Sequence, residues 1–221
     1  MKIVLLPGLD GTGNLFDPLL KALPQNLEVI VISYPETKLG YEELVSFVLG
    51  QLPTDDYVLV GESFSGNIAY QIAQTKPKHL KYVIFVASFL SNPRPLLLKL
   101  FNQLPSSLLS VKPPQIIIKI FMLGFSANKN SIQLFLETLK QVPSDVLSFR
   151  LKEIGKLQLR PEPCEIKATY IQATNDYLVP SKALKDFEQL FSNLTVVKVK
   201  GSHFILQSQP IQCADIIKNT I

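Results

Sequence analysis

The sequence predicts an α/β chain: a mostly parallel six-stranded sheet with helices on both faces and an inserted helical lid. Three observations carry that prediction. Short apolar runs alternate with helix-like segments along most of the chain. One long interval, between the fourth and fifth apolar runs, breaks the alternation. The chain has 221 residues, 47% hydrophobic and 18% charged, which suits one core with an insertion and excludes a disordered polypeptide.

The six strand-like runs cover residues 2–6, 28–33, 57–60, 82–87, 168–173 and 195–199. Each is short and aliphatic or β-branched, as a strand covered on both faces must be, so all six read as buried. Helical patterns occupy 15–23, 41–49, 67–75, 182–191 and 210–219. The β-α-β-α order implies parallel pairing with right-handed crossovers. Roughly 80 residues separate the fourth and fifth strands, too many for one crossover helix. Prolines at 93, 95, 105, 113, 114, 143, 161 and 163 divide this interval. Its helix-like pieces are 96–104, 115–123, 131–141 and 145–154. The expected organisation is a core of 1–91 and 161–221 with a helical lid at 92–160, above the carboxyl ends of the strands.

The net charge is +4, but no Asp or Glu occurs from Phe64 to Leu136, where Lys76, Lys78, Lys81, Arg94, Lys99, Lys112, Lys119 and Lys129 lie. A solvated basic surface is the plain reading. The functional one is weak contact with an anionic membrane surface, an acyl carrier or CoA through the basic lid. Aromatics do not interleave these cations regularly, which argues against nucleic acid. Cys164 and Cys213 form no metal-ligand pattern and read as free thiols of a reducing compartment, a single disulfide being the alternative. The apolar run at 1–6 stops at Pro7-Gly8, too short for a secretory signal, so a cytoplasmic protein is expected. The apolar stretch 116–125 contains Lys119 and falls far short of the ~20 residues of a bilayer span.

The third strand runs into Gly61-Glu62-Ser63-Phe64-Ser65-Gly66, after which a helix begins. A nucleophile elbow needs this strand-turn-helix setting, with small residues two before and two after the serine. Gly61 meets the first requirement, and Ser65 stands where glycine is usual. Ser65 is itself the weaker candidate nucleophile, because Ser63 and Asn67 would then flank it. Of two histidines, His79 lies in a basic loop and reads as solvent-exposed. His203 follows the last strand in Gly201-Ser202-His203-Phe204, so it faces the same crevice as the elbow and can serve as base. An imidazole base needs an acceptor on its second nitrogen. Asp176, just past the fifth strand in Thr174-Asn175-Asp176-Tyr177, fills that need, while the interval 88–136 offers no carboxylate. Asp186, inside the next helix, is the weaker candidate.

The order Ser63, Asp176, His203 resembles that of the α/β-hydrolase superfamily, and the resemblance extends over nearly the whole chain. It is similar above all to small bacterial members that begin at the strand preceding the oxyanion loop. The resemblance implies strands packed in the order second, first, third, fourth, fifth, sixth. It also implies an oxyanion hole made by the backbone N–H of Phe64 and an N–H from Pro7-Gly8-Leu9-Asp10-Gly11-Thr12-Gly13. By alignment that second donor is Leu9, with Asp10 the alternative. No metal or organic cofactor is required. The implied reaction is acyl transfer to water through an acyl-enzyme on Ser63, from an ester or thioester with an apolar acyl group. A carboxylesterase or acyl-thioesterase results, although the fold hosts other chemistries.

Two rival classes remain. One is a non-enzymatic small-molecule receptor on a hydrolase scaffold. The other is a nucleotide-binding oxidoreductase, because Gly8, Gly11 and Gly13 follow a first strand and Glu36 could hold a ribose. The glycine spacing, Gly-x-x-Gly-x-Gly, does not match the dinucleotide pattern.

Overall fold

A computed structural model describes residues 1–96 and 129–220. Six parallel strands form one sheet: β1 (Lys2–Leu6), β2 (Val29–Val31), β3 (Tyr57–Glu62), β4 (Leu80–Val86), β5 (Ala168–Ala173) and β6 (Leu194–Val199). Their order is β2-β1-β3-β4-β5-β6, as the resemblance implies. Because side chains alternate across a strand, successive residues feed two separate cores. Val4, Leu6, Tyr57 and Leu59 enter one core, while Ile3, Leu5, Val58 and Val60 enter the other. Burial on both faces explains why the central strands carry uninterrupted apolar runs rather than alternation.

Helices cover both faces. On one side lie α2 (Tyr41–Leu49) and α3 (Ser65–Gln74). The Glu43 carboxylate accepts the Gly40 N–H at 2.7 Å, which satisfies an otherwise orphaned donor at the start of α2. On the other side lie α1 (Asp17–Ala22) and the last helix, which spans Pro210–Thr220. Between β4 and β5 the described residues contain α4 (Lys129–Gln141) and α5 (Ser144–Lys156). The expected helices at 96–104 and 115–123, and the apolar stretch 116–125, lie outside the described residues, apart from exposed Leu96. After β5 come α6 (Leu184–Leu190), a four-residue helix α7 (Ile205–Ser208) and the last helix, α8.

Three details differ from the sequence reading. β2 and β6 are the sheet edges, so β2 is half-buried throughout and β6 is half-buried or exposed until its last residue, the buried Val199; Val196 is 36% exposed. Their apolar composition matches that of the interior strands, and only sheet order distinguishes them. α1 and α6 are shorter than their helical patterns because 3-10 turns at Asn14–Phe16 and Ser181–Ala183 precede them. α7 was not expected, since four residues are too few to carry a periodic signal.

The described part of the insertion rests on the carboxyl end of the sheet. Ile132 and Phe135 of α4 pack with Leu15 and Phe204, and the Phe135 and Phe204 rings meet edge-on at 5.2 Å. Val142, Val146 and Leu147 pack with Leu9 of the loop after β1.

Candidate active site

Ser63 sits at a strained turn between β3 and α3, with φ +49° in the left-handed region that non-glycine residues avoid. Its N–H donates to the Val86 carbonyl at 2.9 Å, so the turn is tied to β4. The small flanking residues are required by contact. A Cβ on Gly61 would lie 2.8 Å from the Ser65 carbonyl oxygen, and one on Gly66 would lie 2.4 Å from the Ser88 Cβ. Ser65 is fully buried. Its hydroxyl donates to the Pro7 carbonyl and pairs with the Tyr34 hydroxyl at 2.5 Å. With its hydrogen committed and no solvent access, Ser65 joins the elbow to the loop after β1.

Two loops carry the other residues to Ser63. The Thr174 N–H donates to the Val199 carbonyl at 3.0 Å and the Asn175 N–H to the Gly201 carbonyl at 2.8 Å, which holds the ends of β5 and β6 together. The His203 Nε2 lies 2.8 Å from the Ser63 Oγ, and its Nδ1 lies 2.7 Å from the Asp176 Oδ2. The Asp176 Oδ1 accepts the N–H groups of Leu178 and Val179, each at 2.8 Å. Asp186 instead accepts the Ser91 hydroxyl at 2.6 Å. His79 is partly exposed at the surface, with its Nδ1 3.2 Å from the Asp56 Oδ1.

Burial pulls the His203 imidazole toward the neutral form. The charge and hydrogen bond of Asp176, with the charge of Glu62, outweigh this and hold its pKa above the usual imidazole value. Glu62 is buried at the end of β3, and desolvation raises its carboxyl to about 7 despite the Gln207 amide donating to it at 3.0 Å.

Gly8 lies against Ser63: a Cβ there would come within 3.9 Å of the Ser63 Cβ. Among the described residues, the N–H groups of Leu9 and Phe64 have no hydrogen-bond partner. Residues 8–11 form a turn in which the Gly11 N–H donates to the Gly8 carbonyl at 3.1 Å. In a trans peptide the N–H opposes the C=O, so this bond turns the Leu9 N–H outward from the turn. Phe64 is fixed by stacking on Tyr41, the ring centroids 4.6 Å apart.

Arg150 of α5 was not singled out from the sequence. It is 1% exposed and donates to the carbonyls of Leu9, Asp10 and Pro35. The available signal was its place on an apolar stripe with Val146, Leu147 and Ile154, where a cation is out of pattern. Glu62, ending an apolar strand, gave a similar signal.

Among the described residues, no three His, Cys, Asp or Glu side chains cluster closely enough to hold a metal ion. Cys164 and Cys213 are free and buried. A cavity of about 700 Å³ lies between α2, α3 and residues 153–162, and one of about 530 Å³ lies between residues 12–14 and α4. Neither has Ser63 or His203 in its wall. No helix of the described residues is long and apolar enough to cross a membrane.

No protein-family profile and no curated protein sequence matches the chain. Solved structures do. A lipase-esterase related protein from Clostridium acetobutylicum is 19% identical, with a TM-score of 0.80 over 100% of this chain and 94% of that one. An esterase from Exiguobacterium antarcticum is 14% identical, with a TM-score of 0.80 over 100% and 91%. A thioesterase from the prodiginine biosynthetic pathway of Streptomyces coelicolor is 16% identical, with a TM-score of 0.73 over 100% and 90%. Matches of this length to the six-stranded parallel sheet, at identities too low to carry activity, show the architecture: the chain has the α/β-hydrolase fold.

Proposed function

We propose that the chain is a serine hydrolase that cleaves a carboxylic ester or thioester through an acyl-enzyme on Ser63. One observation carries the reading: the unbroken hydrogen-bonded series from the Ser63 hydroxyl through both His203 nitrogens to the Asp176 carboxylate. His203 accepts the Ser63 proton as Oγ adds to the carbonyl carbon. The N–H groups of Leu9 and Phe64 receive the negative charge that develops on the carbonyl oxygen. The carbonyl–leaving group bond then breaks, and the leaving oxygen or sulfur takes the proton from His203. Water repeats the sequence on the acyl-enzyme, releases the acid and restores Ser63. Asp176 keeps the imidazole in the tautomer with Nδ1 protonated.

The esterase and thioesterase among the similar structures favour acyl chemistry, and the apolar side chains of the insertion suit an apolar acyl group. We propose residues 92–160 as the insertion, of which 92–96 and 129–160 are described, and the cytoplasm as the location. The oxidoreductase reading loses its support. The glycine spacing after β1 departs from the dinucleotide pattern, and the hydrogen-bonded Ser63–His203–Asp176 series has no part in hydride transfer.

The test pairs a fluorophosphonate probe with nitrophenyl esters of rising acyl length. Wild type should be labelled and should turn over esters with a chain-length optimum, and Ser63→Ala should do neither. Labelling of Ser63→Ala would move the nucleophile elsewhere. Saturable ligand binding without turnover of any ester would make the chain a receptor.

A further inference from the structure

We infer that Arg150 is a positioning residue for the oxyanion loop, through which the inserted segment holds the loop's amide donors toward Ser63. The inference rests on the serine-hydrolase reading and adds a residue to it.

The loop after β1 has every carbonyl from Gly8 to Gly11 engaged. The Gly8 carbonyl accepts the Gly11 N–H at 3.1 Å, and the Gly11 carbonyl accepts the Tyr34 N–H at 2.7 Å. The two between them depend on one side chain. The Arg150 Nη1 donates to the Leu9 carbonyl at 3.0 Å and to the Asp10 carbonyl at 2.7 Å. Its Nη2 donates to the Pro35 carbonyl at 3.0 Å, which ties in the loop after β2. Without Arg150, three carbonyls in a poorly hydrated place lose their donors. Such groups cost free energy until they rotate to new partners. The Asp10 carbonyl shares its peptide with the Gly11 N–H, so its rotation would break the bond to the Gly8 carbonyl that turns the Leu9 N–H outward, and the Leu9 donor would lose its fixed direction.

The position is built for a guanidinium. A Cβ on Gly11, whose φ is +74°, would stand 2.4 Å from the Arg150 Nη1, so only glycine leaves room for the cation. The guanidinium carbon lies 5.7 Å from the centroid of the Tyr34 ring. Tyr34 in turn bonds Ser65, and Ser65 bonds the Pro7 carbonyl. The clamp therefore encircles the loop and returns to the elbow. Among the described residues no carboxylate lies within ion-pair distance of Arg150; carbonyl oxygens take its hydrogen bonds, and the charge of Asp10 favours the cation from farther away. A lysine has one nitrogen and cannot reach both the Leu9–Asp10 pair and Pro35 in this geometry.

Arg150→Lys and Arg150→Met test the inference on the full chain, using the best nitrophenyl ester of the wild type. Each is also titrated with a trifluoromethyl ketone of the same acyl length, whose adduct oxyanion uses the same donors, and with the matching methyl ketone. In folded Arg150→Lys, kcat should fall about 10²-fold and the trifluoromethyl ketone should bind weaker by a similar factor. KM and methyl ketone binding should stay within about twofold. Unchanged kcat and trifluoromethyl ketone binding would overturn the clamp. Parallel weakening of KM and methyl ketone binding with kcat intact would overturn it too, since that marks a change in pocket shape. If Arg150→Met does not fold, Arg150→Lys decides. A wild type inert toward every ester and unlabelled at Ser63 removes the hydrolase reading itself, before any Arg150 variant is compared.

Discussion

Asp176 divides its carboxylate between two tasks. Oδ1 takes two backbone N–H groups of its own loop, and Oδ2 faces the His203 Nδ1. Asp176→Asn keeps an oxygen for the loop but presents an NH₂ group to the imidazole. The imidazole must then carry its proton on Nε2, where it cannot accept one from Ser63. We expect kcat to fall by about 10⁴-fold with the melting temperature nearly unchanged. Steady-state kinetics and thermal denaturation of the same preparation check this, and near-normal turnover would assign the acid to another residue. Glu62 acts on the same imidazole through its charge. The acid limb of the rate profile should lie above the usual imidazole pKa, because the charged form is favoured there. Glu62→Gln removes one favouring charge, so the limb should move to lower pH. A limb that stays in place would show that Glu62 does not act on His203.

At the scale of elements, the elbow was the most legible part of the chain. Glycines flanking a serine, after an apolar strand and before a helix, are local features, and local sterics dictate them. Gly61→Ala tests that reading: the added methyl meets the Ser65 carbonyl and the Ala69 side chain, at 2.8 and 3.0 Å. The variant should lose about 1–3 kcal/mol, as overpacked sites do, and urea unfolding measures the loss. Wild-type stability would mean that α3 shifts freely against β3. His203 and Asp176 were legible for a related reason, since each follows a strand whose carboxyl end faces the crevice. Edge strands were not legible. The residues of β6 resemble those of β5, and only β5 has neighbours on both sides.

Across the whole molecule, the buried Glu62 makes stability depend on pH. Its carboxyl titrates at about 7 in the folded chain, against 4.5 for the same group in water. Between those values the folded state keeps a proton that the unfolded state has released. Stability therefore falls as pH rises from about 4.5 to about 7, by on the order of 3 kcal/mol if burial is lost on unfolding. Glu62→Gln retains the acceptor for Gln207 and has no charge to bury. Its advantage over wild type in urea unfolding should be small at acid pH and largest above neutrality. An advantage equal at both ends would contradict the raised pKa. The sequence by itself determined the α/β class, the strand positions and the residue types suited to acyl chemistry, because periodicity and strand-end position are written locally. Tertiary structure alone decided which strands became edges, that Glu62 lies beside His203's charge, and that Arg150 reaches a loop far away in the chain. Those outcomes depend on how distant segments close on one another, and a side chain's burial or partner exists only once that closure has occurred.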